Sequence, residues 1–232
     1  MFPISHSQLT FTSGGKPIRI DCFSPEAAGR RFPAILGLHG SGGDFEGMQR
    51  PAALLAAQGF AVYVLHYFDR TGTSAAKDRA TIFRHFFAWA KTVWDATSFV
   101  AAQPQVDPER LGLLGFSLGA YLALSNASVD PRIQAVVEFF GGLPKEMKLF
   151  MRRLCPVLIL HGDSDATVPV AEAYHLQQVL ESRGIACEMK IYPGAGHHFS
   201  DEVWRDAGQR TLAFFQKYLG GETSVPRAPS AL

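Results

Sequence analysis

Ten residues, Leu111-Gly-Leu-Leu-Gly-Phe-Ser117-Leu-Gly-Ala120, constrain the fold of this chain more than any other stretch. A largely aliphatic run enters Gly-x-Ser-x-Gly, and a helix-forming segment, Tyr121 to Ser125, follows at once. A buried strand that reverses sharply into a helix leaves one serine side chain at its tip, the layout of a nucleophile elbow. Such a turn strains the backbone at Ser117, so the positions two residues away must lack bulk, and Gly115 and Gly119 meet that need. The helix behind the serine directs its unpaired N–H groups at the same spot, where they favour developing negative charge. Taken alone, Gly-x-Ser-x-Gly reads equally well as an ordinary strand-to-helix turn, so the rest of the chain must supply the serine's partners.

The surrounding elements predict a parallel sheet. Ser5 to Thr12 and Lys16 to Phe23 read as two strands around Ser13-Gly14-Gly15, an antiparallel hairpin at a sheet edge. Phe32 to Leu38 and Ala61 to Leu65 are continuous apolar runs, the pattern of strands covered on both faces. Between them lie the loop His39-Gly-Ser-Gly-Gly43 and a helix from Phe45 to Gln58 that Gly59 closes. A polar connection, His66 to Ala80, leads to a helix from Thr81 to Ala102, whose stripe Ile82, Phe86, Trp89, Val93 and Val100 is read as a face packed on the sheet. Val106 to Arg110 is expected as a turn feeding the elbow strand. Further strands are predicted at Ile133 to Phe140, Pro156 to His161 and Cys187 to Tyr192, with helices at Val170 to Arg183 and Asp201 to Tyr218. Gly141 to Arg153 is too short for a lid domain, which predicts an open site. Alternating strands and helices give an α/β class with a mostly parallel sheet and helices on both faces. Residues 1–220 are expected as one domain, and 221–232 as a flexible tail.

A serine hydroxyl is not ionised at neutral pH and becomes a useful nucleophile only when a base takes its proton. That base is usually a histidine oriented by a buried carboxylate. In a doubly wound sheet both partners come from the C-terminal ends of later strands, in the order Ser, Asp or Glu, His. His161-Gly-Asp-Ser-Asp165 and Gly194-Ala-Gly-His197-His198 follow two such strands in that order. Asp163 is equally explained as a turn residue, whereas Asp165 lies further out and can reach back across the sheet; Asp165 is favoured, with a helix N-cap as its structural alternative. Small residues before His197 let the backbone turn tightly, which favours His197 over His198. An oxyanion hole needs two N–H donors. Leu118 N–H should be one, and the loop at 39–43 should supply the other, with Ser41 first and Gly40 or Gly42 as alternatives.

Charge balance narrows the classes. Lys plus Arg number 22 against 21 Asp plus Glu, with no long basic run, so nucleic acid and anionic membranes are not expected partners. The N-terminus shows no secretory pattern and no stretch reaches about 18 apolar residues. Three widely spaced cysteines suit reduced thiols. A cytoplasmic protein is expected, as monomer or homodimer, with no metal and no cofactor.

Six motifs together resemble the dienelactone hydrolase family of α/β-hydrolases: His39-Gly-Ser-Gly-Gly, Tyr67-Phe-Asp-Arg-Thr-Gly, Val106-Asp-Pro-Glu-Arg, Gly115-Phe-Ser-Leu-Gly, His161-Gly-Asp-Ser-Asp-Ala-Thr-Val-Pro and Gly194-Ala-Gly-His-His-Phe. The resemblance implies an α/β-hydrolase fold, no large lid domain, and hydrolysis of a small-molecule ester, with Asp165 as acid and His197 as base. His39, Arg70 and Phe116 become candidate substrate contacts. The chain departs from the family in having Ser117 where a cysteine is usual and His39 where an acidic residue is usual. Of the two arginines that hold a substrate carboxylate there, Arg70 matches the first, but Ser200 and Asp201 stand where the second is expected. A serine carboxylesterase for a neutral or weakly polar substrate is therefore expected. Lactone or thioester cleavage and a non-catalytic binding role on the same fold are the alternative readings.

Overall fold

In the computed structural model, residues 1–144 and 154–220 are described. Its strands are β1 (Ile4–Ser13), β2 (Lys16–Pro25), β3 (Phe32–Leu38), β4 (Ala61–Leu65), β5 (Val106–Phe116), β6 (Ile133–Phe139), β7 (Val157–Gly162) and β8 (Cys187–Tyr192). They form one sheet in the order β1-β2-β4-β3-β5-β6-β7-β8. β1 pairs antiparallel with β2, and β2 antiparallel with β4; from β4 to β8 every neighbour is parallel. The β1–β2 hairpin closes through Gly14 and Gly15 at φ 50° and 75°, a two-residue turn that suits the twist of paired strands.

Among the described residues, five helices cover the sheet: α1 (Gln49–Ala57), α2 (Arg79–Ala101), α3 (Leu118–Ala127), α4 (Ala171–Glu181) and α5 (Asp201–Phe215). Because strand side chains alternate, each strand feeds two cores. Leu36, Leu113, Val136 and Ile159 pack with Trp89 and Val93 of α2, Leu122 of α3 and Leu176 of α4. Ile35, Leu114, Val137 and Leu158 pack with Ala52 of α1 and Phe214 and Phe215 of α5. The predicted stripe on α2 therefore faces the sheet, with Trp89, Val93 and Val100 buried. Each such aromatic or large aliphatic side chain contributes about 1.5–3 kcal/mol by leaving water.

Several boundaries differ from expectation, each for a local reason. Val106 to Arg110 is the first part of β5, not a turn; its register against β3 shifts between Phe32, opposite Val106, and Ala34, opposite Leu111, so the extra residues of β5 bulge there. α2 starts at Arg79 because Asp78 caps it, accepting from Thr81 N at 2.8 Å. The helix expected from Phe45 opens with a 3-10 turn at Glu46–Met48, and the final helix passes into a π turn at Gln216–Gly220. The elbow helix runs on to Ala127. Most of the expected segment Gly141 to Arg153 and the whole tail from 221 lie outside the described residues.

Candidate active site

β5 delivers Ser117 to the carboxyl edge of the sheet. Its backbone sits at φ 52° and ψ −116°, a sparsely populated conformation that costs about 1–3 kcal/mol and points to a functional constraint. The surroundings hold it there: Ser117 N donates to Phe139 O of β6 at 2.9 Å, and Ser117 O accepts from Ala120 N at 2.9 Å as α3 begins. A Cβ at Gly115 would lie 2.4 Å from Gly119 O, and one at Gly119 would lie 2.2 Å from Leu38 O. Strand, elbow and helix close on one another only because both residues are glycine.

The loops after β7 and β8 meet over this turn. Asp165 Oδ2 lies 2.7 Å from His197 Nδ1, and His197 Nε2 lies 3.1 Å from Ser117 Oγ. Asp165 Oδ1 accepts from Thr167 N and Val168 N, both at 2.8 Å. Burial would raise the Asp165 carboxyl, but Val168 N–H, His197 and Thr167 N–H outweigh it and hold the group below the ordinary carboxylate range. It stays ionised and faces His197 Nδ1, which turns His197 Nε2 towards Ser117 Oγ. His161 Nε2 donates to Val168 O at 2.9 Å and braces the same loop from below.

Asp163 has a different task. Its Oδ1 accepts from Gly194 N at 2.7 Å, and Ser164 N donates to Ala195 O at 3.0 Å, so it zips the β7 loop to the β8 loop. His198 is exposed, and Phe199 beside it is buried.

The glycine loop after β3 passes beside the serine. A Cβ at Gly40 would lie 3.5 Å from both Ser117 Cβ and Phe116 O, whereas nothing stands within 4 Å of the corresponding position at Gly42. Ser41 O accepts from Ala76 N at 2.8 Å. Gly40 is thus the loop residue packed against Ser117, and Leu118 N–H, at the first helical position, has no acceptor within its own helix.

Of the candidate substrate contacts, the structure gathers Phe116 but not the other two. His39 is 1% exposed; its Nδ1 donates to Gly40 O at 2.8 Å and its ring stacks on Tyr67 at 4.1 Å. Burial pushes it down to about 4, so it is a neutral brace under the loop. Arg70 Nη1 donates to Gly14 O at 2.8 Å, in the β1–β2 turn. At about 4.8 Å per strand, the strands between that turn and β5 separate it from Ser117 by well over 10 Å. Phe116 is half-buried, with ring centroids 4.6 Å from Phe139 and 5.9 Å from Trp204. Phe140 continues this wall 4.6 Å from the His197 ring.

Sequence reasoning missed three residues here: Phe140, Trp204 and Glu138. Glu138 left a visible sign, a carboxylate in the apolar strand Ile133 to Phe140. Nothing in the sequence marks the other two, because helix α5 and the turn after β6 bring them together only in the fold. Among the described residues no group of three His, Cys, Asp or Glu stands close enough to hold a metal ion, and no helix is long and apolar enough to cross a membrane.

A mostly parallel sheet with a strained serine elbow, and with an Asp-then-His pair returning to it from later strands, defines the α/β-hydrolase class. Within that class the chain belongs to the dienelactone hydrolase family, whose model matches residues 19–219. It is 26% identical over 94% of its length to a Yersinia pestis protein provisionally named a carboxymethylenebutenolidase, covering 90% of that protein. A Klebsiella pneumoniae crystal structure provisionally named a dienelactone hydrolase superposes with TM-score 0.79 at 23% identity, over 93% of this chain and 100% of that one. An esterase from the archaeon Pyrobaculum calidifontis superposes with TM-score 0.74 at 21% identity, over 93% and 87%.

Proposed function

We propose that the chain is a carboxylic ester hydrolase of dienelactone hydrolase type, working through an acyl-enzyme on Ser117. The observation that carries the reading is the continuous line Asp165 Oδ2, His197 Nδ1, His197 Nε2, Ser117 Oγ, with separations of 2.7 and 3.1 Å at its two joints. His197 takes the Ser117 proton as Oγ attacks the ester carbonyl, and the C–O bond to the leaving alcohol breaks as His197 returns that proton. Water repeats the sequence in reverse and releases the acid. The charge that builds on the carbonyl oxygen faces Leu118 N–H and the backbone of Gly40 and Ser41. Family membership supports ester chemistry, and the Yersinia relative's name places a butenolide, a cyclic ester, within it.

A neutral substrate fits this chain better than an anionic one. Arg70 reaches into the β1–β2 turn, where its Nη1 donates to Gly14 O, and Asp201 at the start of α5 would meet a substrate carboxylate with like charge. The wall of Phe116, Phe140 and Trp204 supplies apolar contact instead. A fluorophosphonate probe should modify Ser117 stoichiometrically, read by mass spectrometry of the tryptic peptide. Folded protein that stays unlabelled would overturn the reading.

A further inference from the structure

Glu138 occupies an unusual place. It is 0% exposed, in the middle of the sheet, paired with Gly115 of β5 and Ile159 of β7. Oε2 accepts from Gly141 N at 2.8 Å, and Oε1 has no hydrogen-bond partner among the described residues. The catalytic exchange described above does not use it, yet it lies directly behind the elbow. A Cβ at Gly141 would be 3.1 Å from Glu138 Oε2, 3.2 Å from Ser117 O and 2.3 Å from Ala120 Cβ.

The bond to Gly141 closes a tight turn over Glu138, Phe139, Phe140 and Gly141. Phe140, inside that turn, is held at φ 42°, a left-handed conformation that a bulky residue adopts only under constraint. Phe140 N donates to Leu160 O at 2.9 Å, and its ring lies 4.6 Å from His197 and 5.2 Å from Phe199. One buried carboxyl thus fixes a strained turn whose side chain backs the imidazole opposite Ser117.

We propose that Glu138 is a positioning residue: through Gly141 N–H and the left-handed turn at Phe140, its carboxyl holds the ring that keeps His197 against the elbow. The inference rests on Ser117 and His197 being the reacting pair. The groups facing this region are Tyr121 of α3, Glu172 of α4, Asp165 and His161 at the end of β7, and Cys187 of β8, with Arg79 of α2 beyond Tyr121. Burial pushes Glu138 up to about 8, so it is protonated in neutral solution. Above that pH its charge stands behind the elbow and opposes the negative charge that develops in front of it.

The test is a set of pH–rate profiles on a nitrophenyl ester. Ser117→Ala, expected to abolish turnover, checks the underlying reading by itself. In wild-type protein kcat should fall above about pH 8. Glu138→Gln keeps an acceptor for Gly141 N and cannot ionise; it should retain neutral kcat and lose the alkaline fall. Glu138→Ala should lower kcat roughly ten- to hundred-fold with KM little changed. Phe140→Gly adopts the left-handed turn without strain and lacks the ring, so it should reproduce that loss even where Glu138→Ala does not fold. An alkaline fall that persists in Glu138→Gln, or wild-type kcat in Phe140→Gly, would overturn the proposal.

Discussion

Asp163 and Asp165 carry the same side chain two positions apart, yet the fold gives them unrelated partners. Asp165 faces His197 Nδ1, and Asp163 faces Gly194 N. Asp165→Asn replaces the carboxylate that fixes the imidazole tautomer, and kcat should fall by about 10³–10⁴. Asp163→Asn keeps an oxygen that can accept from Gly194 N, and its kcat should stay within about three-fold, because only a charge-assisted bond becomes a neutral one. Steady-state turnover of one nitrophenyl ester by both variants decides it, and the opposite ranking would reassign the acid. The sequence could favour Asp165 because a strand end followed by a loop long enough to reach back is visible as a pattern. It could not show where Arg70 goes. That guanidinium has the right chemistry for a substrate carboxylate, but the hairpin turn at Gly14 is closer in space than the serine, and proximity in space is not written in spacing.

At the scale of elements, the site depends on how closely α3 can approach the ends of β3 and β5. Gly119 sets that distance. Alanine there would place a Cβ 2.2 Å from Leu38 O and 2.6 Å from His39 O, both backbone atoms that cannot rotate away. Gly119→Ala should therefore destabilise the protein by about 1–3 kcal/mol as β3 and α3 are forced apart. Gly42→Ala is the matched control in the same region, since nothing stands within 4 Å of its Cβ position. Thermal melts should separate the two by several degrees, at about 2–4 °C per kcal/mol for a chain of this size. The requirement for glycine on either side of Ser117 was legible, because a strand-to-helix reversal demands it. The extent of β5 was not: Val106-Asp-Pro-Glu-Arg110 has turn chemistry, and pairing with Phe32 of β3 overrides it.

For the whole molecule, buried ionisable groups set how stability responds to pH. His39 is pushed down from 6.5 to about 4, so the folded state resists a proton that the unfolded chain accepts, and stability rises with pH across that interval. Glu138 is pushed up from 4.5 to about 8, so the folded state keeps a proton that the unfolded chain releases, and stability falls with pH across that interval. Each slope is at most about 1.4 kcal/mol per pH unit. Glu138 opposes His39 from 4.5 to 6.5, where His161, also held down by burial, adds to the rise; above 6.5 the fall from Glu138 remains. Below about 4, Asp21, Asp69 and Asp165, whose carboxyls are all held below their ordinary value of 3.8, add a further loss. Melting temperature should rise with pH up to about 6.5 and then decline toward 8. Glu138→Gln should remove that decline, and a wild-type curve flat from 6.5 to 8 would refute the assignment.

The amino-acid order by itself determined the sheet class, the edge hairpin, the serine elbow and the succession Ser117, Asp165, His197, because each follows from local rules: apolar runs of strand length, glycines where backbones must close, and polar loops at strand ends. Tertiary structure alone decided which groups share the space around that serine. It brought Glu138 and Phe140, from β6 and the turn after it, together with Trp204 of α5 at the elbow, sent Arg70 to the hairpin, and closed His39 in beneath the glycine loop. The physical reason is that side-chain neighbours across a sheet depend on register, twist and the depth to which helices pack. Those are properties of the assembled layers, and no single segment carries them.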